Sequence, residues 1–147
     1  MTARHPERGS AAVEFLGASV LLMVPLVYLV VALAQVSAAA FAVEGAAREA
    51  ARAIVTADSS GEGVDRARAA TRLALADQGF DVDAASVLDV ECSHEPCLTP
   101  GATVGVRVSY EVPLPLAPPA LQGWVPLAIP LEAAHVAPVE EHVAVRP

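Results

Sequence analysis

The sequence predicts an α+β fold in which a long, membrane-spanning N-terminal helix precedes a short second helix and a small antiparallel sheet. The chain has 147 residues, enough for about one domain. From Phe15 to Val43, 24 of 29 residues are apolar and none is charged. From Thr103 to Val112, valines and one tyrosine alternate with polar residues or glycine, which is the period of a half-buried strand. The chain is therefore one very apolar segment followed by one modest folded domain.

The charge of the chain excludes one large class of partner. The net charge is −8, no lysine occurs, and past residue 43 there are 7 arginines against 15 acidic residues. A domain with this balance repels phosphate groups. Aromatic residues make up only 4% of the chain, which also leaves little for base stacking. We therefore expect no nucleic-acid partner.

The apolar segment is long enough to cross a lipid bilayer. Phe15 to Ala34 gives 20 uncharged residues, and a bilayer core takes about 20 helical residues. A cleaved signal peptide is the alternative, with Arg4 and Arg8 as its positive start and a small-residue cleavage site at Ala38–Ala40. Signal cores have about 7–15 apolar residues, fewer than here. The pattern favours a single membrane span with the N-terminus inside and the C-terminal domain outside.

Glu14 stands out because it is the single charged residue between Ser10 and Val43. A carboxylate at the edge of a membrane helix is unfavourable unless it is paired, exposed to water or protonated. One explanation is a glutamate that reaches back to the membrane surface. The other is a functional pairing of this charge inside the membrane.

The residues around Glu14 resemble the start of a type IV prepilin. From Arg8 to Phe15 the sequence is RGSAAVEF, a basic leader ending in glycine, a glutamate five residues later and then an aromatic residue. Within that class it resembles the TadE-like proteins, the pseudopilins of tight-adherence (Tad/Flp) pili. The family also has a proline in the membrane helix, matched by Pro25, and a segment matched by AAREAAR at Ala46–Arg52. Ala50 stands where the family often has glycine, and the resemblance covers residues 8 to 55.

The resemblance implies a function as a minor pseudopilin in the assembly of a Tad/Flp-type pilus, with a pilin-like domain. A prepilin peptidase would cut between Gly9 and Ser10, since glycine lets an extended backbone enter the enzyme. Glu14, with Phe15 beside it, would act in assembly by pairing with the new α-ammonium group of a neighbouring subunit. The implied partners are the peptidase, other pilins and pseudopilins, the pilus platform membrane proteins and the lipid bilayer. The implied location is the bacterial cytoplasmic membrane or a cell-surface pilus.

The first helix is predicted to continue beyond the membrane. Helix formers fill the sequence up to Ala57, so that Ser10–Ala57 forms a helix of 48 residues with a bend at Pro25. Arg48, Glu49 and Arg52 then form either a solvated helical face or a polar collar that contacts the next subunit. The predicted organisation is a leader (1–9), a transmembrane and extended helix (10–57) and a small extracytoplasmic α+β domain (58–147).

A second helix is predicted from Val64 to Gln78, after a break at 58–63 and before Gly79. Ser59 and Glu62 have the spacing of a capping box. Asp81 and Asp83 alternate with apolar residues, so we expect them on the exposed face of a short strand over 80–84. Their spacing lacks the glycine and closing glutamate of a calcium loop.

The predicted sheet pairs Thr103–Val112 with the preceding segment Val87–Cys92. Val125–Val136 alternates as well, but Pro126 and Pro130 cannot donate to a ladder, which predicts an edge strand. Between these strands, Pro113–Pro126 is expected to form a long structured loop. From Pro138 onward, the charged tail is expected to fray.

Cys92 and Cys97 are the two cysteines, and three functions are open to them. A disulfide that closes a tight turn suits an exported domain. A metal site with His94 would need a fourth ligand that the sequence does not supply, so we expect no metal. A redox pair is disfavoured because the spacing is not C-x-x-C.

The sequence gives little support for catalysis. The four histidines are scattered, and no Gly-x-Ser-x-Gly elbow or glycine-rich phosphate loop occurs. We therefore expect neither an enzyme nor a cofactor. The alternative to the pseudopilin is a single-pass anchored or secreted extracytoplasmic binding domain with a conventional signal sequence.

Overall fold

The computed structural model describes residues 10–115 and 128–142, and it confirms the predicted α+β fold with a long apolar N-terminal helix. The chain divides into two compact units, Met1–Ala34 and Gln35–Pro147. The helices and strands, in chain order, are α1 (Ser10–Val55), α2 (Ser60–Ala76), α3 (Ala84–Val87), β1 (Leu88–Cys92), β2 (Thr103–Pro113) and β3 (Ala128–Pro138).

Helix α1 ends two residues before the predicted Ala57. Its last backbone bonds tighten, since the Ala57 nitrogen donates to the Ile54 carbonyl at 3.1 Å, three residues back instead of four. Ser59 then adopts an extended backbone, which the helix cannot include. The part of α1 from Gln35 onward belongs to the same compact unit as the sheet.

Helix α2 begins at Ser60, four residues earlier than the sequence indicated. Ser59 is its N-cap, and the Ser59 hydroxyl accepts a bond from the Glu62 nitrogen at 3.3 Å, as predicted. The predicted break through Gly63 was wrong, because Gly63 is a buried contact point between α2 and α1. A Cβ atom on Gly63 would lie 3.0 Å from the Ile54 Cα, so the glycine permits the close approach. The helix ends at Ala76, before Gly79 with φ +83°.

The short strand predicted over residues 80–84 does not form. Residues 80–83 have no regular structure, and Asp83 instead caps the single turn of α3. The Asp83 carboxylate accepts a bond from the Ala85 nitrogen at 3.0 Å. Short polar side chains commonly bond their own backbone in this way, which competes with strand formation.

The sheet has the order β1-β2-β3, with both neighbouring pairs antiparallel. β1 pairs from Leu88 opposite Val108 to Cys92 opposite Val104, as predicted apart from the strand's first residue. The alternation predicted for β2 is confirmed. Its inward residues Val104, Val106, Val108 and Val112 are buried and Tyr110 is half-buried, while the residues between them are exposed or half-buried.

Strand β3 is an edge strand that runs two residues further than predicted, to Pro138. The Val139 nitrogen then donates to the Ala102 carbonyl at 2.8 Å and Val139 is buried, so the tail does not fray from Pro138 as expected. Residues 125–127, including Pro126, and most of the predicted loop Pro113–Pro126 lie outside the described residues.

The unit from Gln35 onward has two layers, with helices on the inward face of the sheet. Along α1, buried residues recur every three or four positions, which is the apolar stripe of a helix packed on one side. Most of them are alanines, which allow a close approach to the neighbouring layer. The stripe and the inward sheet face share one core: Ala39, Ala42, Val43, Ala46, Ala47, Ala50, Ala51 and Ile54, with Val104, Val106 and Val108. The outward face of the sheet stays exposed.

Candidate functional site

The first candidate site is the apolar part of α1, residues 11–34. One helix within the described part of the chain is long and apolar enough to cross a membrane, and it is α1. Large apolar side chains are exposed along this part of the helix, among them Phe15, Leu21 and Leu29. A patch of this size in water would drive association or membrane insertion. This surface is therefore a candidate for contact with lipid or with other apolar helices.

Glu14 lies within this apolar surface, at the fifth position of α1. Its side chain is exposed, and the structure gives it no ion pair with another described residue. The adjacent Phe15 is 72% exposed. Ser10 is the first helical residue, while Gly9 lies outside the described residues. The helix thus presents one carboxylate and one aromatic ring within its first two turns, available to a neighbouring molecule.

Pro25 lies inside α1, and the helix continues on both sides of it. The proline has no N–H group, so the carbonyl one turn earlier loses its usual helical donor. The bend expected from this loss stays a prediction.

The second candidate site is the collar of Arg48, Glu49 and Arg52, which belongs to the unit that starts at Gln35. All three side chains are exposed, on the side of α1 opposite its buried alanines. Arg48 pairs with Glu44 one turn earlier, as the i, i+4 spacing indicates. Arg52 forms no ion pair with another described residue. The collar therefore offers a free cation in the last turn of α1.

The cysteines lie at disulfide-bonding distance in the turn that follows β1. Their Cα atoms are 5.2 Å apart, within the usual range for a disulfide. The Ser93 hydroxyl accepts a bond from the Thr103 nitrogen at 2.8 Å and lies 3.1 Å from His94 Nδ1. Cys97 is buried and joins the core. The turn thus fixes the start of β2 against the end of β1.

The described residues contain no group of three or more metal-binding side chains. His94 and His135 lie in different parts of the compact unit, one in the turn between Cys92 and Cys97 and one on β3. A small cavity, called the trough below, lies on the outward face of the sheet and is lined by Asp89, Glu91 and Gly105 with residues of β3. The sequence did not predict this site. The alternation of Asp89 and Glu91 in β1 was its only signal in the sequence.

Comparison of the chain with protein-family models, curated proteins and solved structures finds no match.

Proposed function

We propose that this chain is a minor pseudopilin of the TadE-like type, anchored by α1 and cut after Gly9 for the assembly of a Tad/Flp-type pilus. The observation that carries the proposal is Glu14, a lone exposed carboxylate in the otherwise uncharged apolar part of α1 (residues 11–34), five residues after the glycine of a basic leader. This spacing gives the carboxylate a partner, the α-ammonium group that cleavage creates on a neighbouring copy or a related subunit.

The physical argument is the cost of an unpaired charge in a membrane. An acidic side chain within a membrane helix is unfavourable by about 2.5–3.5 kcal/mol at the helix centre, and less near the surface. Pairing with an ammonium group removes much of that penalty. In a bundle of parallel copies, residue 14 of one chain and the N-terminus of another meet when the chains are offset by about one turn of helix. The charge thereby selects one register between neighbouring helices.

The continuity of α1 also supports retention of the anchor. The alternative signal-peptidase site at Ala38–Ala40 lies within α1, and Ala39 is fully buried in the core of the compact unit. A cut there would remove Gln35, whose side chain donates to the Pro113 carbonyl at 3.2 Å, together with part of the helix that covers the sheet. A pseudopilin cut after Gly9 keeps both.

The test is the mature N-terminus of the full chain, produced together with a prepilin peptidase and recovered from membranes. Intact-mass measurement should give a chain that begins at Ser10. Gly9→Leu should block this cleavage and leave the precursor. Gly17→Leu is the matched control, because a Cβ atom on Gly17 meets nothing within 4 Å and the residue lies beyond the cleavage site. A mature chain that begins at Phe41 would refute the proposal in favour of a conventional signal peptide.

A further inference from the structure

A trough crosses the outward face of the sheet at Gly105. In the strand register, Gly105 lies between Glu91 of β1 and Val136 of β3. Because glycine has no side chain, a cavity of about 120 Å³ remains, with Asp89 and Glu91 on one side and Ala134 and Val136 on the other. Small-molecule pockets have volumes of about 300–1,000 Å³. The trough therefore has the size for one protein side chain and is too small for a cofactor.

The residues that line the trough fit an occupant with both a positive charge and an apolar group. Asp89 and Glu91 are exposed and form no ion pair with another described residue. Arg107 faces Asp89 across the strand pair, but its guanidinium bonds Glu132 of β3 instead. The opposite wall consists of Ala134, His135 and Val136, of which Val136 is 61% exposed. Two carboxylates that form no ion pair with another described residue thus lie beside a largely apolar wall.

Helix α2 carries the matching chemistry on its outer side. Arg72 is exposed and has no hydrogen bond or ion pair with another described residue, and the adjacent Leu73 is 62% exposed. Arg68 lies one turn before Arg72, but its guanidinium is 3.3 Å from the Asp65 carboxylate. Arg72 is therefore the arginine of this surface that is available to the carboxylates of β1.

We propose that the trough binds α2 of a second copy of this chain, with Arg72 against Asp89 and Glu91 and with Leu73 against Val136. Helix α2 belongs to the helical layer, and the trough lies on the outward face of the other layer. The two surfaces are therefore different and can be used by one copy at the same time. A contact of this head-to-tail kind adds further copies in one direction. The inference deepens the proposed function, on which it rests for the assembly of copies in one membrane.

The test uses the chain produced together with a prepilin peptidase, recovered from membranes and placed in lipid vesicles, with the photoreactive residue benzoylphenylalanine in place of Val136. Illumination should give covalent dimers in which mass spectrometry finds the second chain attached within residues 68–76. Arg72→Gln should lower the dimer yield by up to about fivefold, the factor that corresponds to the loss of one exposed ion pair. Glu91→Gln should lower the yield likewise, and Glu111→Gln is the matched control for that variant, because it removes the same charge from the same sheet face outside the trough.

Two further variants separate loss of the contact from loss of the fold. When photoreactive Arg72→Gln chains are mixed with Glu91→Gln chains, the first supply an intact trough and the second an intact Arg72, so dimers should return. Gly105→Val should abolish them by filling the trough, since the nearest atoms to a Cβ at this position are 3.6 Å away and the strand can accept the side chain.

Dimers that survive Arg72→Gln unchanged, or that are attached elsewhere, would overturn the inference. The mature N-terminus is measured in the same sample. A chain that begins at Ser10 but gives no attachment to residues 68–76 refutes this contact and leaves the pseudopilin proposal standing. Attachment within residues 68–76 of a chain that begins at Phe41 refutes the pseudopilin and leaves the contact.

Discussion

The packing of α2 against α1 at Gly63 can be tested with one added methyl group. Two glycines lie in the first turns of α2, and alanine at a helical position is more stable than glycine by about 0.5–1 kcal/mol. At Gly61, a Cβ atom would meet nothing within 4 Å, so Gly61→Ala should raise the free energy of unfolding by up to that amount. At Gly63, the same atom would lie 3.0 Å from the Ile54 Cα and 3.3 Å from the Ala57 Cβ.

Because of the contact at Gly63, we expect alanine at this position to lower the free energy of unfolding instead of raising it. The Ile54 atoms nearest to the new methyl group belong to the backbone, which cannot turn away as a side chain can, so the two helices must separate. Overpacking of this kind is unfavourable by about 1–3 kcal/mol. After subtraction of the helical gain, Gly63→Ala should lower stability by about 0–2.5 kcal/mol. It should be less stable than Gly61→Ala by about 1–3 kcal/mol.

Thermal unfolding of the full chain in detergent micelles, followed by circular dichroism, measures this difference. For a chain of this size, 1 kcal/mol corresponds to a shift of about 2–4 °C in Tm. If Gly63→Ala proves as stable as Gly61→Ala, the close crossing of α2 and α1 at Ile54 is wrong.

Two other residues give predictions of a different kind. Glu14→Ala should leave cleavage intact, as seen by intact mass, and lower the yield of sheared pili by at least about tenfold, the factor that corresponds to 1.4 kcal/mol; an unchanged yield would remove its role in assembly. Thr71→Val should raise the free energy of unfolding by about 1 kcal/mol, because the Thr71 hydroxyl is buried without a hydrogen-bond partner among the described residues. Thr56→Val should give no such gain in the same unfolding assay, since Thr56 is exposed and its hydroxyl already donates to the Arg52 carbonyl at 2.8 Å.

The strands show which parts of the fold depend on local pattern. The strand β2 was predicted almost to the residue because its valines alternate over ten positions, and alternation is a property of the chain itself. The start of α2 was predicted four residues too late because two glycines normally disfavour a helix. What keeps Gly63 in the helix is its contact with Ile54, which is nine residues away along the chain and becomes visible only once α1 and α2 pack together.

The segment before β1 shows a second limit, in which two local effects compete. Residues 80–84 alternate as a strand does, yet Phe80 is buried against Tyr110, with ring centroids 5.3 Å apart, and Asp83 caps α3. An alternating pattern of only five residues fits a turn that buries Phe80 as well as it fits a strand, so the pattern does not determine which of the two forms. The Asp83 carboxylate then favours the turn by bonding the Ala85 nitrogen.

The two surfaces proposed for assembly also differ in whether the local sequence reveals them. Glu14 can be found in the sequence because a single charge within an apolar run is anomalous by itself, whatever the fold around it. The trough at Gly105 cannot, because its two walls come from strands separated by more than 30 residues and meet only through the register of β2. Under the proposed function, a charge in the apolar part of α1 would fix how far neighbouring helices are offset, but it would not distinguish one side of the folded unit from another. A contact between α2 and the outward sheet face would supply that second constraint, so the two surfaces together would define both the offset and the orientation of neighbouring copies.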